Sequence, residues 1–415
     1  MGFGYEDTYY FAALPVVRLA FAGGHFAVST FFVISGYVLA VKPMQYIHSG
    51  DIEKLGTNLS SALFRRWIRL FVPVFATTWL WLSTWHVFGE PCIPFEAQPT
   101  YAGELWKLFI ESKQYLFLYK EKQVGFAWLY WNIHTWSIPF EFKGSLTIYT
   151  MCLGVATASK KWRLLSQIAV ISFFLWMVDG WYLSMFLSGM LLCDLDMLAA
   201  KGETPRPLTF FAPYKRIIWP VMLLASLVIG GVPLANNSVR DLGRTPGWKH
   251  VAFLVPSTHE VHKWFFLFWA ATMLITSVQR VSWAKSFFEK RFCQYLGRVS
   301  YSLYLMHGPM IWTVGHFVYL VLGFDKGSDD YPYPWYYKSL DLSKAGPQGF
   351  ELAFWAGQLV CLPTTLFVAN VVTLLIDEPS VKLAAWVRTQ TMPPRGGTTV
   401  EKDGLIKEHK DQLLQ

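Results

Sequence analysis

The chain has 415 residues, of which 53% are hydrophobic, 18% aromatic and only 15% charged. Soluble domains carry about 25% charged residues, so this composition excludes a typical soluble enzyme and favours a membrane protein. The formal net charge of +8 does not indicate a nucleic-acid partner, because the basic residues lie mainly in short loops between apolar runs.

The apolar runs predict an all-α protein, a polytopic membrane helix bundle with about nine spans. The predicted spans cover approximately residues 27–41, 71–88, 136–157, 164–178, 181–195, 216–232, 263–279, 300–322 and 350–376. Residues 181–195 follow the preceding run almost without a loop, so they could be half of a broken element. Residues 1–388 would form one transmembrane domain, and the polar residues 389–415 predict a disordered tail.

Basic residues are distributed unevenly between the two sides that nine alternating spans create. The side that contains residues 42–70 and the C-terminus holds 22 Lys and Arg residues, and the other side holds 10. The positive-inside rule therefore predicts a cytoplasmic C-terminus in an endomembrane or plasma membrane. On this topology Asn236, in the sequon Asn236-Asn237-Ser238, lies outside and is a candidate glycosylation site.

Cysteine and histidine spacings do not predict a metal centre. The five cysteines are odd in number and show no short paired spacing. His259 and His262 are three residues apart and resemble the zinc-binding HExxH helix only superficially. We expect neither a metal nor a bound cofactor.

The first candidate site is a group of arginines in the segment 64–73. Arg65 and Arg69 are four residues apart and share one helical face, with Arg66 adjacent. Guanidinium groups bind phosphates in a bidentate manner, so these side chains are candidate phosphate ligands. The alternative is a basic anchor on anionic lipid.

The second candidate site is the segment 134–143, at the start of a long apolar run. We expect His134 on a loop just above a helix whose first turn holds Glu141. A histidine near a carboxylate is suited to general acid–base work on a hydroxyl, with Ser137 close by. The alternative is that Ser137 only caps the helix. The predicted topology places this segment across the membrane from the arginines.

The third candidate site is a polar stripe within the span 300–322. Ser300, Tyr304 and His307 repeat at intervals of four and three residues, so they share one helical face. Such a stripe should face the interior of the bundle rather than lipid. The alternative is a core histidine with no chemical role.

Five motifs together resemble the acyltransferase 3 family of multi-pass membrane acyltransferases, in its fungal branch. They are Phe31-Phe32-Val33-Ile34-Ser35-Gly36-Tyr37, Phe64-Arg65-Arg66-Trp67-Ile68-Arg69-Leu70-Phe71-Val72-Pro73, His134-Thr135-Trp136-Ser137-Ile138-Pro139-Phe140-Glu141, Gly297-Arg298-Val299-Ser300-Tyr301-Ser302-Leu303-Tyr304-Leu305-Met306-His307 and Asp377-Glu378-Pro379. The resemblance implies a bundle of about ten helices that moves an acyl group, often acetyl from acetyl-CoA, onto a hydroxyl. The implied acceptors are sugars, lipids or fungal secondary metabolites.

The chain departs from the family pattern near its start. The family's first helix carries an arginine and a histidine separated by ten residues, whereas Arg18 and His25 are only seven apart. We therefore expect that the family's first helix is missing from this chain.

The resulting prediction is a membrane-bound O-acyltransferase with acyl-CoA as co-substrate and a small hydroxylated molecule as acceptor. Arg65, Arg66 and Arg69 would hold the phosphates of acyl-CoA. His134, Glu141 and His307 would be catalytic, and Ser137, Ser300 and Tyr304 would line the substrate passage. Two alternatives stay open, namely a small-metabolite transporter, which the absence of paired broken helices in the sequence disfavours, and an inactive truncated acyltransferase.

Overall fold

The structure is a computed structural model that describes residues 14, 16–89, 96–117, 128–233, 239–323, 335–340, 342–343 and 351–391. Within these ranges the chain is helical, and its one β feature is an isolated bridge between Leu129 and Asn132. The α-helices, numbered in chain order, are α1 Leu19–Ala22, α2 Gly24–Ser49, α3 Ile52–Phe88, α4 Tyr101–Leu116, α5 Ser137–Gly154, α6 Lys160–Ser172, α7 Trp181–Ala200, α8 Arg206–Thr209, α9 Lys215–Gly230, α10 Val239–Leu242, α11 Lys263–Val278, α12 Ser282–Phe288, α13 Arg291–Met310, α14 His316–Val321, α15 Glu351–Val372 and α16 Glu378–Thr391.

Shorter helical turns connect several of these helices. The 3₁₀ turns are Ile133–Trp136, Ala212–Tyr214, Trp248–His250 and Ala252–Leu254, and the π turns are Phe173–Met177, Ile311–Gly315 and Thr373–Asp377. The turn Ile133–Trp136 leads directly into α5, and Ile311–Gly315 follows α13. Both therefore adjoin predicted site residues.

The main core lies where α2, α5, α7 and α11 pack together. Helices α2 and α7 cross at backbone contact, because a Cβ atom on Gly36 would collide with the backbone of Phe186 and one on Gly189 would collide with the backbone of Val33. Small residues that allow such close approach are typical of helix contacts in membrane proteins. This crossing holds α5 against α2 and α7.

Helix α3 is one continuous helix of 37 residues, about 55 Å long at 1.5 Å per residue. Asp51 caps its N-terminus, since its carboxylate accepts a hydrogen bond of 3.0 Å from the backbone of Lys54. The predicted span 71–88 is only its C-terminal half. The arginines at 65, 66 and 69 therefore lie near the middle of a helix rather than at the end of one.

The prediction of an all-α protein with membrane-type helices is confirmed, but the number of nine spans is not supported. In the described residues, four helices are long and apolar enough to cross a membrane, namely Gly24–Ser49, Trp181–Ala200, Ala212–Gly230 and Leu352–Thr391, and the bent pair α11 and α12 would make a fifth. The difference has a physical cause, because charged and polar residues such as Glu141 and Lys143 interrupt the apolar character of several predicted spans.

The predicted span 181–195 lies within the continuous helix α7, which is long and apolar enough to cross a membrane, so the alternative of a broken element does not hold. A break of 96° lies instead between α11 and α12. Helix α16 extends to Thr391, and the rest of the predicted tail, like Asn236, lies outside the described residues.

Candidate functional site

The first and second candidate sites meet in a buried ion pair. Arg66 of α3 donates from Nη2 to Oε1 of Glu141 on α5, and Glu141 is only 2% exposed. Arg66 Nε also donates to the hydroxyl of Ser145 at 2.9 Å, and that hydroxyl donates to the backbone oxygen of Glu141 at 2.7 Å. Ser35 of α2 interacts with the same carboxylate. Three helices therefore converge on one charge pair.

This contact corrects the predicted topology, which placed the arginines and Glu141 on opposite sides of the membrane. The two side chains touch, so they lie at the same depth. The prediction failed because it treated each charged residue near an apolar run as the end of a span. A buried charge can lie inside a bundle when an opposite charge pairs with it.

The three arginines do not act as one group. Arg66 faces inward, whereas Arg65 and Arg69 are exposed. Arg65 Nε lies 3.4 Å from the backbone oxygen of Ser61, and Arg69 lies near Asp377 in the last π turn. Of the three, Arg65 and Arg69 are the exposed residues.

Tyr304 joins the second and third candidate sites. Its hydroxyl donates to the backbone oxygen of His134 and accepts a hydrogen bond of 2.7 Å from the hydroxyl of Ser137. On the same helix, the Tyr301 hydroxyl donates to the backbone oxygen of Leu70 in α3, at 2.5 Å. Helix α13 is therefore fastened both to the start of α5 and to the middle of α3.

His134 and His307 form a pair of adjacent imidazoles. Their ring centroids are 4.4 Å apart with an interplanar angle of 48°, and His134 also stacks on Trp312 at 5.4 Å. His307 Nδ1 lies 2.5 Å from the backbone oxygen of Tyr304. A carbonyl only accepts hydrogen bonds, so Nδ1 carries the proton and Nε2 of the neutral ring keeps a lone pair.

His134 is neutral at physiological pH. Burial, with a smaller contribution from the neighbouring His307, lowers the pKa of His134 to about 4. A neutral His134 avoids charge repulsion with the neighbouring His307 ring. The pair can therefore accept a proton rather than start in the charged form.

Two residues that the sequence did not single out position His134. The buried Asn132 accepts from the backbone N–H of His134 at 3.3 Å and donates to the backbone oxygen of Leu305 at 2.9 Å. Gly308 of α13 faces the His134 ring, and a Cβ atom there would collide with it. The Gly308-Pro309 step directly after His307 was the one signal in the sequence for this close approach.

His134 and Glu141 do not pair with each other. Glu141 binds Arg66, and His134 contacts His307 and Trp312. The predicted local geometry agrees with the structure in outline, since His134 lies in the 3₁₀ turn before α5 and Glu141 lies in the first part of that helix. The three predicted catalytic residues therefore fall into two groups, with Glu141 paired to Arg66 and His134 next to His307.

A cavity of about 470 Å³ lies between α15 and the run formed by α13, its π turn and α14. Its wall includes all three residues of the predicted polar stripe, Ser300, Tyr304 and His307. Gln358 and Thr365 of α15 form part of the opposite wall. The volume falls within the range that holds small organic ligands.

His25 approaches the same region from α2. Its ring centroid lies 6.0 Å from that of Trp136 and 5.2 Å from that of Trp264. Trp136 lies between His134 and Ser137 in the chain, so α2 also contributes a histidine close to this segment. Helix packing brings His25 close to the site. The position of His25 in the sequence did not predict this proximity.

His259 and His262, the two histidines compared with a zinc motif, have structural partners. His259 contacts Asp179 at 2.7 Å through Nδ1 and the backbone oxygen of Leu175 at 2.7 Å through Nε2. His262 lies 3.4 Å from the backbone oxygen of Pro233. In the described part of the chain, no group of three or more His, Cys, Asp or Glu residues is arranged to hold a metal ion.

Comparison with known proteins identifies the family. The model of a family described as an acyltransferase domain matches residues 1–373. An O-acetyltransferase of Phomopsis amygdali, PaAT-1, is 26% identical over 420 aligned positions that cover 92% of this chain and 79% of the relative. No solved structure matches the chain. The chain belongs to the acyltransferase 3 family and is an acyltransferase.

Proposed function

We propose that the protein transfers an acyl group, with acetyl as the expected group, from acyl-CoA to the hydroxyl of a small molecule that binds in the cavity along α13. The observation that carries this proposal is the His134–His307 pair, because one of its two rings forms part of the cavity wall. The O-acetyltransferase relative supports acyl transfer to oxygen.

The proposed chemistry uses His307 as the general base. Nε2 accepts the proton of the acceptor hydroxyl while that oxygen attacks the thioester carbonyl of the donor. The new C–O bond forms as the C–S bond breaks, and the imidazolium returns its proton to the departing thiolate. Because His134 is neutral, it adds no charge repulsion when the His307 ring is protonated.

Glu141 has a different proposed role. Its carboxylate pairs with Arg66, so it is already engaged and is a positioning residue rather than the group that moves the proton. The pair joins α3 to α5 one turn below Ser137. We propose that Arg65 and Arg69 bind the phosphates of the donor, because both are exposed residues and guanidinium groups bind phosphates.

The wall of the cavity favours an acceptor that is mainly apolar. Ser300 donates its hydroxyl hydrogen to the backbone of Gly297 at 2.8 Å, and Thr365 donates to the backbone of Cys361 at 2.6 Å. Tyr304 donates to the backbone of His134. These hydroxyls therefore have no proton left for a ligand, whereas a sugar would require many polar partners.

The test is an incubation of membranes containing the full chain with isotope-labelled acetyl-CoA and two acceptor pools, one of apolar alcohols and one of sugars. We expect label in the apolar alcohols and its loss in His307→Gln, with His250→Gln, an exposed histidine, as the matched control. Uptake of acceptor without acylation would support a transporter instead. The absence of both acylation and uptake would support an inactive protein. Uptake alone, or the absence of both, would refute the proposal.

A further inference from the structure

The cavity along α13 is long and narrow. Its lining residues on this side run from Ser300 to Tyr319, within the continuous helical run of α13, its π turn and α14. The nineteen residue steps between these two positions correspond to about 28 Å along a helix. A volume of about 470 Å³ that is spread over this length accommodates an extended molecule better than a compact one.

The proposed base and a second polar group lie far apart in this cavity. Gln358 of α15 lines the cavity and donates from Nε2 to the Tyr319 hydroxyl at 3.3 Å, so its amide lies next to Tyr319. His307 and Tyr319 are twelve residues apart, which corresponds to about 18 Å along the helical run. The wall between these two levels is mainly apolar, with Met310, Ile311 and Gly315 among its residues.

Gln358 keeps hydrogen-bonding capacity that other polar residues of the wall have used. Ser300, Thr365 and Tyr304 donate their hydroxyl hydrogens to backbone oxygens. In the described part of the chain, the amide of Gln358 makes one hydrogen bond, the one to Tyr319, so its oxygen is left for a ligand. Gln358 is only partly exposed, and a polar group without a partner in an apolar wall is unfavourable. A ligand hydroxyl would satisfy the amide, because a hydroxyl can both donate and accept.

We infer that the acceptor is an elongated, mainly apolar molecule that carries a second hydroxyl at the end remote from the acylated one. The acylated hydroxyl lies at Nε2 of His307, and the second hydroxyl binds the amide of Gln358. This inference rests on the proposed acyl transfer and narrows its acceptor class. Gln358 therefore determines specificity without moving a proton, and it selects acceptors by length as well as by polarity.

The first test compares three acceptors, namely the α,ω-diol of hexadecane, hexadecanol and hexanol, each with isotope-labelled acetyl-CoA and membranes containing the full chain. We expect kcat/KM for the diol to exceed that for hexadecanol at least about tenfold, because the monoalcohol leaves the amide of Gln358 unsatisfied. Gln358→Leu should reduce this preference to the statistical advantage of two equivalent hydroxyls and leave hexanol acylation unchanged. Gln279→Leu, at an exposed glutamine outside the cavity, is the matched control and should keep the preference.

A second variant tests the length of the cavity. Gly315 lies between His307 and Tyr319 in the helical run and lines the cavity. A Cβ atom at this position would make only ordinary contacts, the nearest with the backbone oxygen of Met310 at 3.5 Å. Gly315→Leu should therefore fold and fill the middle of the cavity. We expect it to lose acylation of the long diol while acylation of hexanol continues.

The outcomes separate this inference from the proposed function. If the wild-type chain acylates the alcohols but prefers the diol only by the statistical factor, the inference is overturned and the acyl transfer stands. An unchanged preference in Gln358→Leu, or undiminished acylation of the diol in Gly315→Leu, would have the same meaning. The absence of label from all three alcohols would instead refute the proposed transfer to apolar alcohols, and the inference with it.

Discussion

Replacing Glu141 by glutamine leaves the charge of Arg66 buried without its counter-ion. The Glu141 side chain is 3% exposed and that of Arg66 is 13% exposed, so solvent screens the pair little. Removing one partner of a buried pair costs about 3–5 kcal/mol of stability. The glutamine oxygen can still accept from Arg66, and Ser145 remains in place, so we expect a loss of about 3 kcal/mol in the free energy of unfolding.

A double-mutant cycle measures this coupling. The cycle compares Arg66→Gln, Glu141→Gln and the double variant. Each protein would be unfolded with denaturing detergent in mixed micelles, and its acyl transfer would be measured in membranes before extraction. The double variant contains neither charge of this pair, so its loss of stability should be smaller than the sum of the two single losses by at least ~1 kcal/mol. Acyl transfer, lost in Glu141→Gln, should recover in part in the double variant. Glu289→Gln, at an exposed pair, is the control and should change stability by less than about 0.5 kcal/mol.

The positioning role of Glu141 would be refuted by one clear result. If Glu141→Gln unfolds like the wild-type chain, loses acyl transfer, and the double variant remains inactive, then the carboxylate acts on the substrate. The membrane insertion of all variants should be unchanged, which protease accessibility of the tail would verify.

Three further predictions concern the histidine pair and its support. His307→Gln should lower kcat by about 10²–10⁴-fold, the range for loss of a general base, with little change in the unfolding midpoint; wild-type turnover would exclude His307 from proton transfer. Tyr304→Phe removes the bonds to Ser137 and to the His134 backbone and should destabilise the fold by about 1–3 kcal/mol while raising KM more than it lowers kcat; an effect on kcat alone would indicate direct participation in the reaction. The pKa of His134, lowered to about 4, means that the unfolded chain binds a proton between about pH 4 and 6.5 that the folded chain does not. Stability should therefore fall as the pH drops from 6.5 towards 4, and His134→Asn should reduce this dependence; an equal slope in both proteins would contradict the neutral state of His134.

The sequence singled out segments that the structure brings together, but it did not predict which of their residues form pairs. Arg66, Glu141, Tyr304 and His307 all lie in segments that were singled out, because a polar group within an apolar run has few structural explanations. Hydropathy alone contains no information on which polar group pairs with which. The pairs Arg66–Glu141 and His134–His307 join residues 75 and 173 positions apart in the chain, so they depend on helix packing.

The same limitation explains why the predicted span 71–88 covered only half of α3. A buried ion pair lowers the apolar character of two helices at once, so a hydropathy pattern divides or misplaces them. Asn132 and Gly308 were missed for a related reason, since their roles consist of contacts with one particular ring or backbone atom. The contribution of α2 through His25 likewise follows from the close crossing of α2 and α7, which Gly36 and Gly189 permit.

The corrected depth of Arg66 changes what the reaction requires of the bundle. Had the arginines and Glu141 been on opposite sides of the membrane, the acyl arm of the donor would have had to pass through the whole bundle. Because the pair is in direct contact, Arg65 and Arg69 lie within about 5 Å of the depth of Glu141 along α3, and Ser137 lies four residues, or about 6 Å, from Glu141 along α5. A donor whose phosphates rest on Arg65 and Arg69 therefore needs to extend its thioester past only two helical turns to reach the His134–His307 pair.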